Sequence, residues 1–160
     1  MKNKFYQKEL NFTINIEQEI LNQVSMYSKN NFPNEIGGIL MGIYSRDRIS
    51  VDITEIIVPK RYIGKKFLFI RFGKSLNKKI KKLYKDSNGE IIYVGEWHSH
   101  TNGSGMYSQK DYDSMIEISE DNKVKIDSPL LLISAITEKS FEPNFYICHN
   151  KKLYKYEKNN

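Results

Sequence analysis

The chain has 160 residues, 39% of them hydrophobic and 12% aromatic, with a formal net charge of +6. That balance belongs to a folded chain rather than a disordered one, its length suits one compact domain over residues 1–160, and no apolar run is long enough to span a membrane. Cys148 is the single cysteine, which excludes an internal disulfide and suits a reducing cytoplasm, and the opening Met1-Lys2-Asn3-Lys4-Phe5 lacks the apolar stretch of a secretory signal.

Leu10, Phe12, Ile14 and Ile16 alternate, so the opening reads as a strand. Over residues 17–30, Ile20, Leu21, Val24 and Tyr27 recur at helical spacing, and Asn30-Asn31-Phe32-Pro33-Asn34 is turn chemistry that ends that helix. Residues 35–44 read as an almost wholly apolar strand opened by Glu35. Its Gly37, Gly38 and Gly42 mark either close approach of another backbone or ligand, or plain packing. Glu35 at the strand's mouth faces either solvent or a site. Arg46-Asp47 makes a turn, and residues 49–58 read as the partner strand.

Residues 67–72 form a short strand leading into a lysine-rich helix over 74–85. That helix sets Lys74, Lys78, Lys81, Lys82 and Lys85 on one side and Leu76, Ile80, Leu83 and Tyr84 on the other, and stops at Asn88-Gly89. The basic side reads as a solvated face rather than a nucleic-acid patch, since no zinc-finger, RNP or glycine-rich phosphate motif accompanies it. Residues 91–98 are a second buried strand, followed by a loop of small residues over 101–105 and a helix over 108–120. Strands follow near 130–137, 144–149 and 153–156. The fold class is therefore α/β, a mixed sheet flanked by helices.

Chemistry concentrates at the end of the second buried strand, where His98 and His100 precede Ser108 and Asp111. Histidines at i and i+2 of a strand point to the same side, so both can reach one ion. Nitrogen and carboxylate ligands with one position left to water describe a catalytic zinc site, whereas structural zinc sites close all positions, usually with cysteine. Ser108-x-x-Asp111 is also the pattern of a helix capping box, and a carboxylate oxygen held by a metal is less free to cap. Trp97 and Ser99 alternate with the histidines and face the other way, Trp97 into the core. Cys148 and His149 are strand neighbours that point apart, which excludes a thiol dyad and leaves a structural cysteine and a surface histidine.

Glu35 ahead of a Gly-Gly-apolar-apolar-x-Gly strand, then Trp97-His98-Ser99-His100, then Ser108-x-x-Asp111, resembles the JAMM motif of the MPN-domain metallo-isopeptidases, the zinc deubiquitinase family with its small bacterial and archaeal relatives. The resemblance covers residues 35–113 by motif and implies a three-layer, deaminase-like fold. It implies His98, His100 and Asp111 as zinc ligands, Glu35 as general base and proton shuttle, and Ser108 as donor to the oxyanion. The family very often has proline after the second histidine, where this chain has Thr101, a change in loop stiffness rather than ligand count. Glu96 falls on the ligand side of its strand and rivals Glu35 as the base, or supports a ligand.

The resemblance further implies a zinc-dependent isopeptidase acting after the C-terminus of a ubiquitin-like modifier or conjugated protein, in the cytoplasm, with E1- and E2-like partners in an antiviral conjugation operon. Processing of a sulfur-carrier precursor and a non-catalytic MPN scaffold are the alternatives. Nucleobase deamination would require His-x-Glu and a downstream Pro-Cys-x-x-Cys, which this chain lacks.

Overall fold

The structure is a computed structural model and describes residues 1–59 and 73–159. The strand expected over 67–72 lies outside the described residues. A nine-stranded mixed sheet carries the fold, in the order β8-β7-β6-β5-β3-β4-β2-β1-β9. Its strands are β1 (Lys2–Gln7), β2 (Phe12–Glu17), β3 (Gly37–Tyr44), β4 (Ser50–Ile57), β5 (Ile92–His100), β6 (Leu130–Ile136), β7 (Phe141–His149), β8 (Lys152–Lys155) and β9 (Glu157–Asn159). The described helices are α1 (Gln18–Asn31), α2 (Lys74–Asp86) and α3 (Gln109–Glu120). None of them is long and apolar enough to cross a membrane.

Period-two alternation decides which helix covers which face. Leu130 and Leu132 of β6 and Leu40 of β3 join Ile20, Leu21 and Val24 of α1 in one core. On the other face, Leu131 and Ile133 pack with Met115 and Ile118 of α3, and Ile39 and Met41 pack with Leu76 of α2. One helix therefore lies on one side of the sheet and two on the other, the three-layer α/β arrangement the motif implies.

Two strands escaped the pattern reading. In β1 the inward residues are Asn3, Phe5 and Gln7, so its buried face is mostly polar. The amides are satisfied, since Asn3 Nδ2 donates to Gln18 Oε1 at 3.0 Å and Gln7 Oε1 accepts from the Leu10 N–H at 2.9 Å. At the other terminus, the strand expected over 153–156 ends at Lys155, and a further short strand follows Tyr156. β8 pairs with β7, and β9 crosses to pair with β1 at the opposite edge. The sheet must curl for its two edges to meet across one residue. Tyr156 seals the seam by donating its N–H to the Phe145 carbonyl, and Phe5 packs on Phe145 with ring centroids 4.7 Å apart. β7 starts earlier than expected, at Phe141, because Pro143 interrupts the sequence pattern without ending the pairing with β6.

Two helical positions also differ. Tyr27 is exposed, and the buried position on α1 is Ser28, whose Oγ donates to the Val24 carbonyl and contacts Ser134 Oγ at 2.8 Å. Tyr84 is exposed as well; its ring lies over Gly89 instead of joining the α2 core. The lysines of α2 face solvent as expected, and Lys82 pairs with Asp86 one turn on.

The β3 glycines serve close backbone approach. A Cβ on Gly38 would collide with the Ile57 carbonyl of β4, and one on Gly42 would lie 2.6 Å from the Asp52 carbonyl oxygen. Both obstacles are backbone, so neither can move aside. Gly38→Ala is therefore expected to lower the unfolding free energy by about 3 kcal/mol, measured by urea denaturation, with an unchanged slope.

Candidate metal centre

β5 delivers its histidines through a break in the strand. Its pairing with β3 runs from Gly37↔His98 to Leu40↔Gly95, then jumps to Met41↔Tyr93, leaving Val94 as the extra residue of a bulge. Beyond the bulge, Glu96, His98 and His100 share the face covered by α3, while Trp97 is buried in the core under α1. Gly37 lies opposite His98, and a Cβ there would sit 2.9 Å from the His98 Cβ. Close pairing of the two strands at this point requires glycine.

The third group comes from the start of α3. Ser108 is the N-cap: its Oγ accepts from the Asp111 N–H at 3.2 Å, and its own N–H donates to Asp111 Oδ2 at 2.8 Å. The capping box and the clustering with the histidines do not exclude one another. Asp111 Oδ1 is 3.3 Å from His98 Nε2, and Oδ2 is 3.2 Å from His100 Nε2. The two Nε2 atoms are 3.0 Å apart. His98 and Asp111 are almost wholly buried, at 1% and 2% exposure, and His100 is open only to 12%. Among the described residues these three form a group that could hold a metal ion.

The tautomer of His100 follows from its partner. His100 Nδ1 is 3.1 Å from the Ser104 carbonyl oxygen, which can only accept. Nδ1 therefore carries the hydrogen, and the Nε2 lone pair points at the shared position.

Glu35 is exposed and lies just ahead of β3, outside this group. Its neighbour Ile36 is locked to β5, accepting the Ser99 N–H at 2.7 Å and donating to Ser99 Oγ at 2.9 Å. Ile36 packs toward the α1 core, and strand alternation continued one residue back would put Glu35 on the opposite face, the one that carries the histidines. Asn31 Nδ2 holds the Glu35 carbonyl at 3.1 Å.

Glu96 is buried at 3% exposure and is also outside the group of ligand atoms. It stands near Tyr93, whose phenol is pushed well above its usual range by burial first and by the Glu96 charge second. Cys148 is fully buried and burial raises its thiol, as suits a structural cysteine. His149 is half-buried rather than a free surface residue, because its Nδ1 engages Ser128 Oγ at 2.9 Å.

The Ser104 carbonyl and its supports went unforeseen, since a main-chain oxygen carries no sequence signal. The sequence marks Gly37 only as one glycine among three in its strand.

Residues 17–146 match the model of a family described as prokaryotic homologs of the JAB domain. The CD-NTase/cGAS isopeptidase of Enterobacter hormaechei subsp. hoffmannii (strain UCI 50) is 30% identical over 123 residues, which cover 76% of this chain and 67% of that protein. The solution structure of a Desulfitobacterium hafniense protein shares the fold with a TM-score of 0.61 at 16% identity, covering 88% of this chain and 87% of that one. A protein from Salinibacter ruber (strain DSM 13855) does so with a TM-score of 0.52 at 11% identity, over 91% and 88%.

The cap makes a prediction about stability alone. Ser108→Ala should destabilise the metal-free protein by about 1 kcal/mol in chemical denaturation, and Ser108→Asn, which keeps an acceptor, by only a few tenths.

Proposed function

The chain belongs to the prokaryotic homologs of the JAB domain, and on that premise we infer that it is a zinc-dependent isopeptidase. It hydrolyses the bond that follows the C-terminus of a ubiquitin-like modifier, or of a protein conjugated in the same way. The likeness to a CD-NTase/cGAS isopeptidase favours a conjugate of that class of protein as substrate, in an antiviral conjugation system with E1- and E2-like components.

The carrying observation is the convergence of His98, His100 and Asp111. Zinc holds nitrogen and carboxylate ligands at about 2.0–2.2 Å and tetrahedral angles, which separates neighbouring donors by roughly 3.3 Å. The two imidazole nitrogens, 3.0 Å apart, are near that spacing, and each lies 3.2 or 3.3 Å from a different oxygen of Asp111. The chemistry of the set also fits: two imidazoles and one carboxylate, with no fourth ligand in the group among the described residues. When bound, zinc supplies a Lewis acid that brings a ligated water to a pKa of about 7.

The remaining work falls to side chains of this chain. Glu35 takes the proton of the attacking water and hands it to the departing amine. Its exposure and its place on the histidine face, outside the ligand set, suit a group that exchanges protons during turnover. Ser108 Oγ accepts from the Asp111 N–H and so keeps its hydroxyl hydrogen for the substrate carbonyl oxygen as negative charge grows there. One such donor contributes roughly 3 kcal/mol to the barrier in other hydrolases. Asp111 is aimed by its bond from the Ser108 N–H, and His100 by the Ser104 carbonyl.

The test pairs metal analysis with cleavage of a CD-NTase-type protein fused by its C-terminus to a second protein. Wild type should hold zinc, cut the fusion and stop cutting in chelator. Glu35→Ala should keep zinc and fold but cut at least about 10²-fold more slowly, while His98→Ala and Asp111→Ala should lose the metal. A wild-type chain that takes up no zinc, or a Glu35→Ala variant cutting at the full rate, overturns the assignment.

A further inference from the structure

The loop between His100 and Ser108 joins one ligand to the cap residue that holds another, Asp111, so its shape sets their spacing. Its sequence is loose: Thr101 stands where the resembling family has proline, followed by Asn102, Gly103, Ser104 and Gly105. Glycines without a proline leave the backbone many conformations to lose on ordering. Two bonds hold the exposed side locally, from the Ser104 N–H to Asn102 Oδ1 at 3.0 Å and from the Met106 N–H to Ser104 Oγ at 3.2 Å. Turns of this kind set local shape but do not fasten the loop to the sheet.

The fastening comes from β7. Tyr146, 1% exposed, donates its hydroxyl to the Gly105 carbonyl at 2.7 Å from 41 positions along the chain. Its ring meets Tyr107 edge-on, with centroids 5.2 Å apart. Two residues earlier in β7, the buried Asn144 lies so close under Gly105 that any Cβ there would strike its side-chain amide. Residues 105–107 are thus seated on β7 by one hydrogen bond, one ring contact and one glycine-only approach. The Ser104 carbonyl that fixes His100 is the peptide oxygen immediately before this seat. Burial raises the Tyr146 phenol, so it remains a donor throughout the neutral range.

We propose that Tyr146 is a positioning residue of the metal centre: by gripping the Gly105 carbonyl it holds the Ser104 carbonyl that orients His100, and so sets how tightly the site binds a divalent metal. It takes the place of the stiffening that Thr101 does not supply. This rests on His98, His100 and Asp111 being the metal ligands. The expected size is near the lower end of what partners of metal-binding histidines contribute, about tenfold in affinity, because Tyr146 acts through one further link.

The experiment measures the zinc dissociation constant of the full chain by competition with a chromophoric chelator, with metal-free unfolding curves run alongside. Tyr146→Phe, which removes one oxygen and keeps the ring, should weaken zinc about tenfold. Imidazole ¹⁵N spectra should show His100 losing its single Nδ1–H tautomer. Gly105→Ala disturbs the same seat without touching Tyr146 and should weaken zinc in the same way. Tyr156→Phe removes a buried hydroxyl that has no hydrogen-bond partner among the described residues, and should bind zinc as wild type does. Zinc affinity of Tyr146→Phe or Gly105→Ala within about twofold of wild type, whatever the change in unfolding midpoint, overturns the positioning role. Equal weakening in Tyr156→Phe also overturns it, by showing a general packing effect. Failure of wild type itself to bind zinc would instead sink the ligand assignment beneath it.

Discussion

At the end of β5, two imidazole nitrogens and a carboxylate crowd around one position that solvent barely reaches, and the rest of the site is organised by that crowding. The Ser104 carbonyl forces the hydrogen of His100 onto Nδ1, so a lone pair faces the shared position. His98 Nε2 stands 3.0 Å away, with an oxygen of Asp111 close to each ring. Burying so many acceptors together is costly unless positive charge lies among them. A proton on one nitrogen answers part of that demand, and a divalent cation would answer more of it. The metal-binding proposal is thus an argument about charge before it is one about family.

Ordinary folding energetics place the three groups. Strand periodicity brings two of them to one side, and a glycine on the neighbouring strand gives His98 room. The third is placed by helix capping. Asp111 satisfies the Ser108 N–H whether or not a metal is present, so the carboxylate is oriented by a bond worth about 1 kcal/mol to the helix start. Oδ2 accepts the cap bond while lying against His100, and Oδ1 lies against His98, which is why the two readings of Ser108-x-x-Asp111 turn out compatible.

That division also explains what could be read in the sequence. His98, His100, Ser108 and Asp111 were legible because strand alternation and capping offsets act over a few residues. The mixed sheet and its helices were legible for the same reason. β1 was not, because its inward face relies on the amides of Asn3 and Gln7, which hydrophobic patterning cannot see. The break at Tyr156 was not, because crossing to β1 is dictated by the curl of the whole sheet. Thr101 signalled a looser loop, yet its compensation by Tyr146 is a contact between distant segments and has no local signature. Tyr27 and Tyr84 misled through their apolar character alone; both rings found partial shelter on the surface.

The two carboxylates beside the histidines, Glu35 and Glu96, share a face but not an environment. Glu96 is buried near the Tyr93 phenol, away from solvent. Glu35 is exposed to solvent, its carbonyl held by Asn31 and the next residue, Ile36, fastened to Ser99. General base catalysis asks for reach to the reacting proton before it asks for a particular pKa. On that criterion the exposed carboxylate fits the proton-transfer role proposed for it. The buried one suits a structural role inside the sheet, so substitutions at the two positions should part company: Glu96→Ala should lower stability in urea denaturation, which Glu35→Ala should leave nearly unchanged.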